Sequence, residues 1–308
     1  MKVGIPRAML WYKNEKFWTT FFTEIGVEYI VSPETDRAIL ARGEMLSIDE
    51  TCLPVKLLLG HVDWLIGKCD YVFVPRMAFR HRLQMCTRFM AQTDLVANTF
   101  RERDVKLLFY SVGEDKPDTE QEAVYKMAKY LKVKKSVYKN AYQTAKQAQM
   151  FYERFRTERQ HEKIETSEKL KILLVAHAYC VGDAYIGKPV IGMIKALGCE
   201  PIIAEYGDER DCIRASYTVS ENMPWAYNRH LVGAVALYKE HVDGIVMLTA
   251  FPCGTDSMVN EYVIRTFKDT PIITLTVDAQ DGSAGIETRL ESFVDIIALR
   301  KERGHDAS

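Results

Sequence analysis

Several signatures that fix a function at sight are missing from this chain of 308 residues. There is no Walker A loop and no G-x-G-x-x-G turn, which argues against ATP or a dinucleotide bound by those routes. The seven cysteines, at 52, 69, 86, 180, 199, 212 and 253, are odd in number and include no C-x-x-C pair. A disulfide framework, a zinc ribbon, thioredoxin-like redox chemistry and the bacterial ferredoxin run are all disfavoured by that spacing. No apolar run approaches the roughly 20 residues a membrane span needs, and the opening Met1-Lys2-Val3-Gly4-Ile5-Pro6-Arg7 does not read as a signal peptide. Charge of one sign is also lacking: 41 Lys and Arg stand against 42 Asp and Glu, a formal net charge of -1. No overall basic field recommends nucleic acid or an acidic membrane as partner, and a cytoplasmic location is expected.

What is present is ordinary globular composition, 47% hydrophobic and 27% charged, in a length that suits two domains of about 150 residues each. Buried-strand patterns alternate with helical ones. Lys2-Val3-Gly4-Ile5 leads to an amphipathic helix around Phe17-Trp18-Thr19-Thr20-Phe21-Phe22 that stops at Gly26. Strands follow at 27–31 and 70–76, with a helix at 53–66 between them. The order recurs after residue 170, with strands at 171–175, 200–204, 242–248 and 271–278, helices at 190–197 and 224–239, and a last helix from Ile286. The pattern predicts an α/β protein of two Rossmann-like, doubly wound lobes with parallel sheets, joined by a helical segment. The expected division is 1–117 for the N-terminal lobe, 118–170 for the helical connector and 171–308 for the C-terminal lobe. Residues 300–308 read as a frayed tail.

Three cysteine motifs stand in turn-like sequence beside these strands: Glu50-Thr51-Cys52-Leu53-Pro54, Met85-Cys86-Thr87 and Phe251-Pro252-Cys253-Gly254-Thr255-Asp256. Cys52 precedes a helix with proline in its first turn, where the positive helix end favours a thiolate. Cys86 and Cys253 lie beyond the carboxyl ends of strands, where open α/β sheets bind ligands. Facing lobes would bring Cys52, Cys86 and Cys253 together as ligands of a soft metal or an iron–sulfur cluster, leaving one coordination position open. Mononuclear zinc is the colourless alternative, and burial as small hydrophobes the bland one.

Cys180, in Ala176-His177-Ala178-Tyr179-Cys180, reads either as a fourth ligand or as a lining residue. His177 is the catalytic candidate, a proton or hydrogen-bond donor near the cluster if it is not simply a satisfied cleft histidine. His61 reads as a packing or capping residue. Arg76, Arg80 and Arg82 would offset the charge of a cluster or grip an anionic substrate, if they are not a solvated basic loop. Gly254-Thr255-Asp256-Ser257 supplies a helix cap and exposed N–H groups.

Taken together, Lys2-Val3-Gly4-Ile5-Pro6-Arg7, Glu50-Thr51-Cys52-Leu53-Pro54-Val55-Lys56, Gly60-His61-Val62, Val74-Pro75-Arg76, Phe251-Pro252-Cys253-Gly254-Thr255-Asp256-Ser257 and the stretch from Ala284 to Phe293 resemble the acyl-CoA dehydratase activase-related family. That family is similar to the D-component of 2-hydroxyglutaryl-CoA dehydratase, a 2-hydroxyacyl-CoA dehydratase, and to double-cubane cluster proteins. The resemblance implies two lobes around a [4Fe–4S] or larger iron–sulfur cluster, held in part by Cys52, Cys86 and Cys253. It implies low-potential electrons from a separate ATP-hydrolysing activator of acetate-kinase-like fold. The implied work is reductive, either dehydration of a CoA-linked 2-hydroxyacyl substrate or reduction of a small molecule. A dimer is expected. The alternative is a non-catalytic protein that delivers a cluster or binds a small molecule.

Overall fold

The computed structural model describes residues 1–80, 82–113, 119–280 and 283–306. The expected boundary at 117 and 118, and His81 of the basic loop, lie outside them. The chain forms two compact units. Unit 1 comprises Met1–Glu153 with Pro224–Ala226, and unit 2 comprises Arg154–Met223 with Tyr227–Ser308. Each contains a four-stranded parallel sheet with helices packed against it.

In unit 1 the strands are β1 (Lys2–Ile5), β2 (Glu28–Val31), β3 (Tyr71–Met77) and, after the short hairpin β4 (Phe79–Arg80) and β5 (Leu83–Gln84), β6 (Leu107–Val112). They lie in the order β2-β1-β3-β6. The amphipathic pattern before Gly26 is α1 (Leu10–Glu24), which buries Trp18, Phe21 and Phe22. Trp18 meets Phe73 of β3 and Tyr110 of β6 edge-on, with ring centroids 4.7 and 4.9 Å apart. Buried aromatic pairs of this geometry add about 0.5–1.5 kcal/mol each beyond the area they bury. Gly26 ends the helix turn with φ 70°, where a residue with a Cβ would be strained. Two helices follow β2. In α2 (Arg37–Met45) Asp36 caps the N-terminus through a bond from the Ile39 N–H, and α3 (Leu53–Leu65) packs against it. A Cβ on Gly43 would lie 1.9 Å from the Lys56 carbonyl oxygen, and one on Gly60 2.0 Å from that of Ile39. These two helices therefore meet backbone to backbone, which only glycine allows.

The segment read as connector supplies α6 (Glu120–Tyr130), started by a full capping box between Thr119 and Glu122, and the long α7 (Lys135–Thr166). The boundary between the units falls inside α7, between Glu153 and Arg154. Side-chain amides peg its two halves. Gln149 donates to the Lys13 carbonyl and accepts from the Phe17 N–H of unit 1, whereas Gln160 accepts from the Ile203 N–H of unit 2.

Unit 2 repeats the plan with β7 (Lys171–Val175), β8 (Glu200–Ile203), β9 (Gly244–Ala250) and β10 (Ile272–Val277) in the order β8-β7-β9-β10. All seven residues of β9 are buried, as expected of a central parallel strand covered on both faces. The helices are α8 (Ala178–Val181), α9 (Gly187–Ala196), α10 (Glu209–Val219), α11 (Ala226–Tyr238), α12 (Gly254–Thr266) and α13 (Ser283–Asp306). The tail read as frayed is helical to Asp306. In strand order second-first-third-fourth, the direction of winding reverses between the first and third strands. Each unit thus has a switch point at the carboxyl ends of those strands, β1 with β3 and β7 with β9.

Candidate functional site

The switch point of unit 2 is built from the ends of β7 and β9. Beyond β7, His177 caps the short helix α8 with extended backbone. Beyond β9, Phe251 and Pro252 are joined by a cis peptide and Cys253 caps α12. Asp256, in the first turn of α12, stands where the positive helix end favours a carboxylate. His177 Nε2 is 2.8 Å from Asp256 Oδ1, and Asn228 Nδ2, from α11, donates to the same oxygen at 2.8 Å. All three are buried, so one carboxylate ties α8, α11 and α12 together out of water. The Tyr179 ring stacks on His177 at 5.0 Å.

Burial pushes the Asp256 carboxyl up. The charge of His177 and the hydrogen bonds from His177, Asn228 and Cys253 outweigh it and hold the carboxyl below its ordinary value. The adjacent Cys253 thiol is driven the other way. Burial, then the Asp256 charge, push it up to about 12, against a hydrogen bond with Thr255 at 3.3 Å. Cys253 is therefore a neutral thiol at pH 7. Chemically this corner offers an imidazole oriented by a carboxylate, the arrangement that fixes a tautomer and stabilises a proton on the ring.

Unit 1 does something different. Arg7, just past β1, donates its N–H to Ser32 Oγ at 2.8 Å and its Nε–H to the Ser32 carbonyl at 3.1 Å. Ser32 Oγ lies 2.9 Å from His61 Nδ1, and Thr35 Oγ1 3.0 Å from His61 Nε2. His61, on α3, is wholly buried, and burial followed by the nearby Arg7 charge lowers its pKa to about 3. It is a neutral ring held between two hydroxyls. Of the basic loop, Arg80 pairs with Glu120 at 3.1 Å, and Arg82 turns the β4–β5 hairpin with φ 65°.

The cysteines have the local setting their motifs indicated. Cys52, Cys86 and Cys253 each precede a helix as its N-cap with extended backbone, over α3, α4 (Thr87–Met90) and α12, and none of them caps through its side chain. Cys52 and Cys86 belong to unit 1, Cys253 and Cys180 to unit 2, and Cys180 is buried within α8. Among the described residues no three His, Cys, Asp or Glu side chains come together as a group that could hold a metal ion. Without a metal, burial keeps the Cys253 thiol protonated at pH 7.

Asn228 is the member of the site that motif reading missed. The available signal was Tyr227-Asn228-Arg229-His230, a polar run inside a buried apolar helix. Arg229 is the anchor of that run. It is 1% exposed, and its guanidinium donates to the carbonyls of Ser220, Glu221 and Met223 and to Ser216 Oγ.

The family model described as "CoA enzyme activase uncharacterised domain (DUF2229)" matches residues 2–206. No curated protein matches the chain. Among solved structures, one titled "Crystal structure of ZnuA" matches at 10% identity over 97% of this chain and 98% of that one, with a TM-score of 0.25. The family description corrects the functional expectation. It places the chain with the CoA enzyme activase family, not with the cluster-carrying dehydratase component. The expected [4Fe–4S] centre on Cys52, Cys86 and Cys253, with Cys180 as an extra ligand, has no group of donors to hold it among the described residues. Among those residues, too, no helix is long and apolar enough to cross a membrane.

Proposed function

We propose that this chain, which belongs to the CoA enzyme activase uncharacterised domain family, serves the activation of an enzyme that transforms CoA esters and does not itself transform the ester. The observation that carries the reading is the family match over residues 2–206, which takes in the whole unit 1 sheet and the first two strands of unit 2. The carboxyl edge of unit 2 supports it. There Phe251 is 48% and Met258 66% exposed, on a turn and helix stiffened by the buried His177–Asp256–Asn228 tie. Large apolar side chains on a stiff, exposed edge suit contact with a protein partner. A 2-hydroxyacyl-CoA dehydratase is the partner enzyme this reading names, and an ATP-hydrolysing module of acetate-kinase-like fold is its companion in activation.

The test is anoxic reconstitution of a 2-hydroxyacyl-CoA dehydratase with ATP and its ATP-hydrolysing module, with and without this chain. The expected result is a saturable rise in dehydratase rate with added chain, while the chain alone leaves the ester unchanged. Ester consumed by the chain alone, or a dehydratase rate indifferent to it, would overturn the reading.

A further inference from the structure

Trp18 on α1 and Gln92, the first residue of α5 (Gln92–Thr99), are 2% and 1% exposed. Among the described residues, neither the Trp18 Nε1–H nor the Gln92 Oε1 meets a hydrogen-bonding partner within the protein. The other half of the Gln92 carboxamide is engaged: its Nε2 donates to the Pro75 carbonyl at 3.0 Å. A carbonyl only accepts, so that contact fixes which end of the amide is nitrogen and leaves the oxygen as the orphan. A buried donor and a buried acceptor left unpaired each lose their hydration for nothing in return, which native interiors rarely tolerate.

Both side chains line one cavity, whose other walls include Ile5, Pro6, Phe73 and Pro75. It lies at the unit 1 switch point, where β1 ends at Ile5 and β3 carries Pro75. The Trp18 ring meets Phe73 edge-on, and the Gln92 carboxamide is held at Pro75, so both orphan groups belong to the walls of the same space. The volume open to the centre of a water-sized sphere is about 10 Å³, room for one such molecule and nothing larger. The two groups also select the occupant. An anion would accept from the indole N–H but face the carboxamide oxygen, and a cation would suit the oxygen but face the N–H. A neutral occupant must accept from one and donate to the other.

We propose that the unit 1 switch point binds a single internal water, which accepts a hydrogen bond from Trp18 Nε1 and donates one to Gln92 Oε1. The water links α1 to α5 over the ends of β1 and β3. It does in unit 1, with a neutral molecule, what the Asp256 carboxylate does in unit 2, joining helices at the switch point through one shared acceptor or donor. The site lies within unit 1, requires no partner enzyme and stands apart from the activase reading.

Water-selected NOE and rotating-frame NOE spectra of the full chain, labelled with isotope-enriched tryptophan, test the proposal. The chain has four tryptophans, and the Trp18 indole is recognised by its NOEs to the Phe73 and Tyr110 rings, whose centroids lie 4.7 and 4.9 Å away. Its Hε1 should show water cross-peaks of opposite sign in the two spectra, the mark of a bound water as opposed to proton exchange. In Gln92→Leu the water occupancy should fall about tenfold, since one hydrogen bond is lost. The wild-type spectra decide the question by themselves if Gln92→Leu fails to fold. A Trp18 Hε1 with no water cross-peak, shifted upfield as an N–H donor to the face of the Tyr110 ring, would overturn the site. So would a cross-peak that Gln92→Leu leaves unchanged.

Discussion

The two sheets share a strand order, and each engages a buried histidine near its carboxyl edge, yet the two histidines live in opposite electrostatic worlds. His61 of unit 1 is a neutral ring between the hydroxyls of Ser32 and Thr35, kept neutral by burial and by the charge of Arg7. His177 of unit 2 faces the Asp256 carboxylate, which is ionised because His177, Asn228 and Cys253 all donate to or stabilise it. Repeated topology supplies the same address twice. The few side chains beyond each strand decide whether that address holds a hydroxyl-bound neutral ring or a ring hydrogen-bonded to an ionised carboxylate.

Acid should separate the two units most strongly. His61 has a folded pKa of about 3 against an ordinary 6.5, so the unfolded chain takes up the proton first. The stability it contributes is complete above about pH 6.5 and is lost as pH falls toward 3, up to about 5 kcal/mol in all. Asp256 has a depressed carboxyl pKa, so its contribution is present above the ordinary 3.8 and is lost only below that. Urea unfolding between pH 7 and 4 should therefore show a decline that His61→Gln flattens and Asp256→Asn leaves in place. Identical slopes in wild type and His61→Gln would break the comparison on the unit 1 side.

Next in size is Asp256→Ala, which strands a buried imidazole and a buried amide at once. A loss of about 3–5 kcal/mol at pH 7 is expected, as for one partner removed from a buried pair. Denaturant melts should find Asp256→Asn milder, because an acceptor oxygen is kept. Smaller again is Thr35→Val. It deletes one of two neutral hydrogen bonds to His61 and should cost about 1–2 kcal/mol. A Thr35→Val cost equal to that of Asp256→Ala would show that charge compensation is not what distinguishes the units.

The smallest effect is a reactivity. With its pKa at about 12, Cys253 should be alkylated slowly at pH 7, and its rate should climb through pH 9 without levelling. Asp256→Asn removes the repelling charge and should speed that reaction, which peptide mass spectrometry of the modified site would follow. A plateau near pH 9 in the wild type would mean that the thiol does not feel the carboxylate.

Much of the fold was legible because parallel-sheet strands buried on both faces announce themselves as apolar runs. Lys171–Val175 and Ile272–Val277 fell where the pattern placed them, and the stops at Gly26 and Gly198 are both left-handed turns. The strand at Leu107–Val112 and the helices at Arg37–Met45 and Glu209–Val219 went unread. The first lies between polar stretches, and each helix buries only two or three residues, too narrow a stripe to stand out. The long connector pattern proved to be two helices, broken where Lys132 adopts φ 58°. At the site, His177 and Cys253 were visible as unusual residues beside strand ends. Asn228 was not, since one polar residue on a helix reports neither its partner nor its depth.

The sequence by itself determined the alternation of strands and helices, the recurrence of that order and the placement of three cysteines at helix starts, because hydrophobic period, glycine and proline are local signals. Only the tertiary structure decided which polar residues meet. Asp256, Asn228 and His177 are separated by 28 and 79 positions along the chain from their partners in the tie, and no local rule brings them to one oxygen. The same holds for charge. Whether a histidine or a thiol carries its proton is set by what surrounds it in the folded chain, and there burial leaves a neutral Cys253 and a neutral His61.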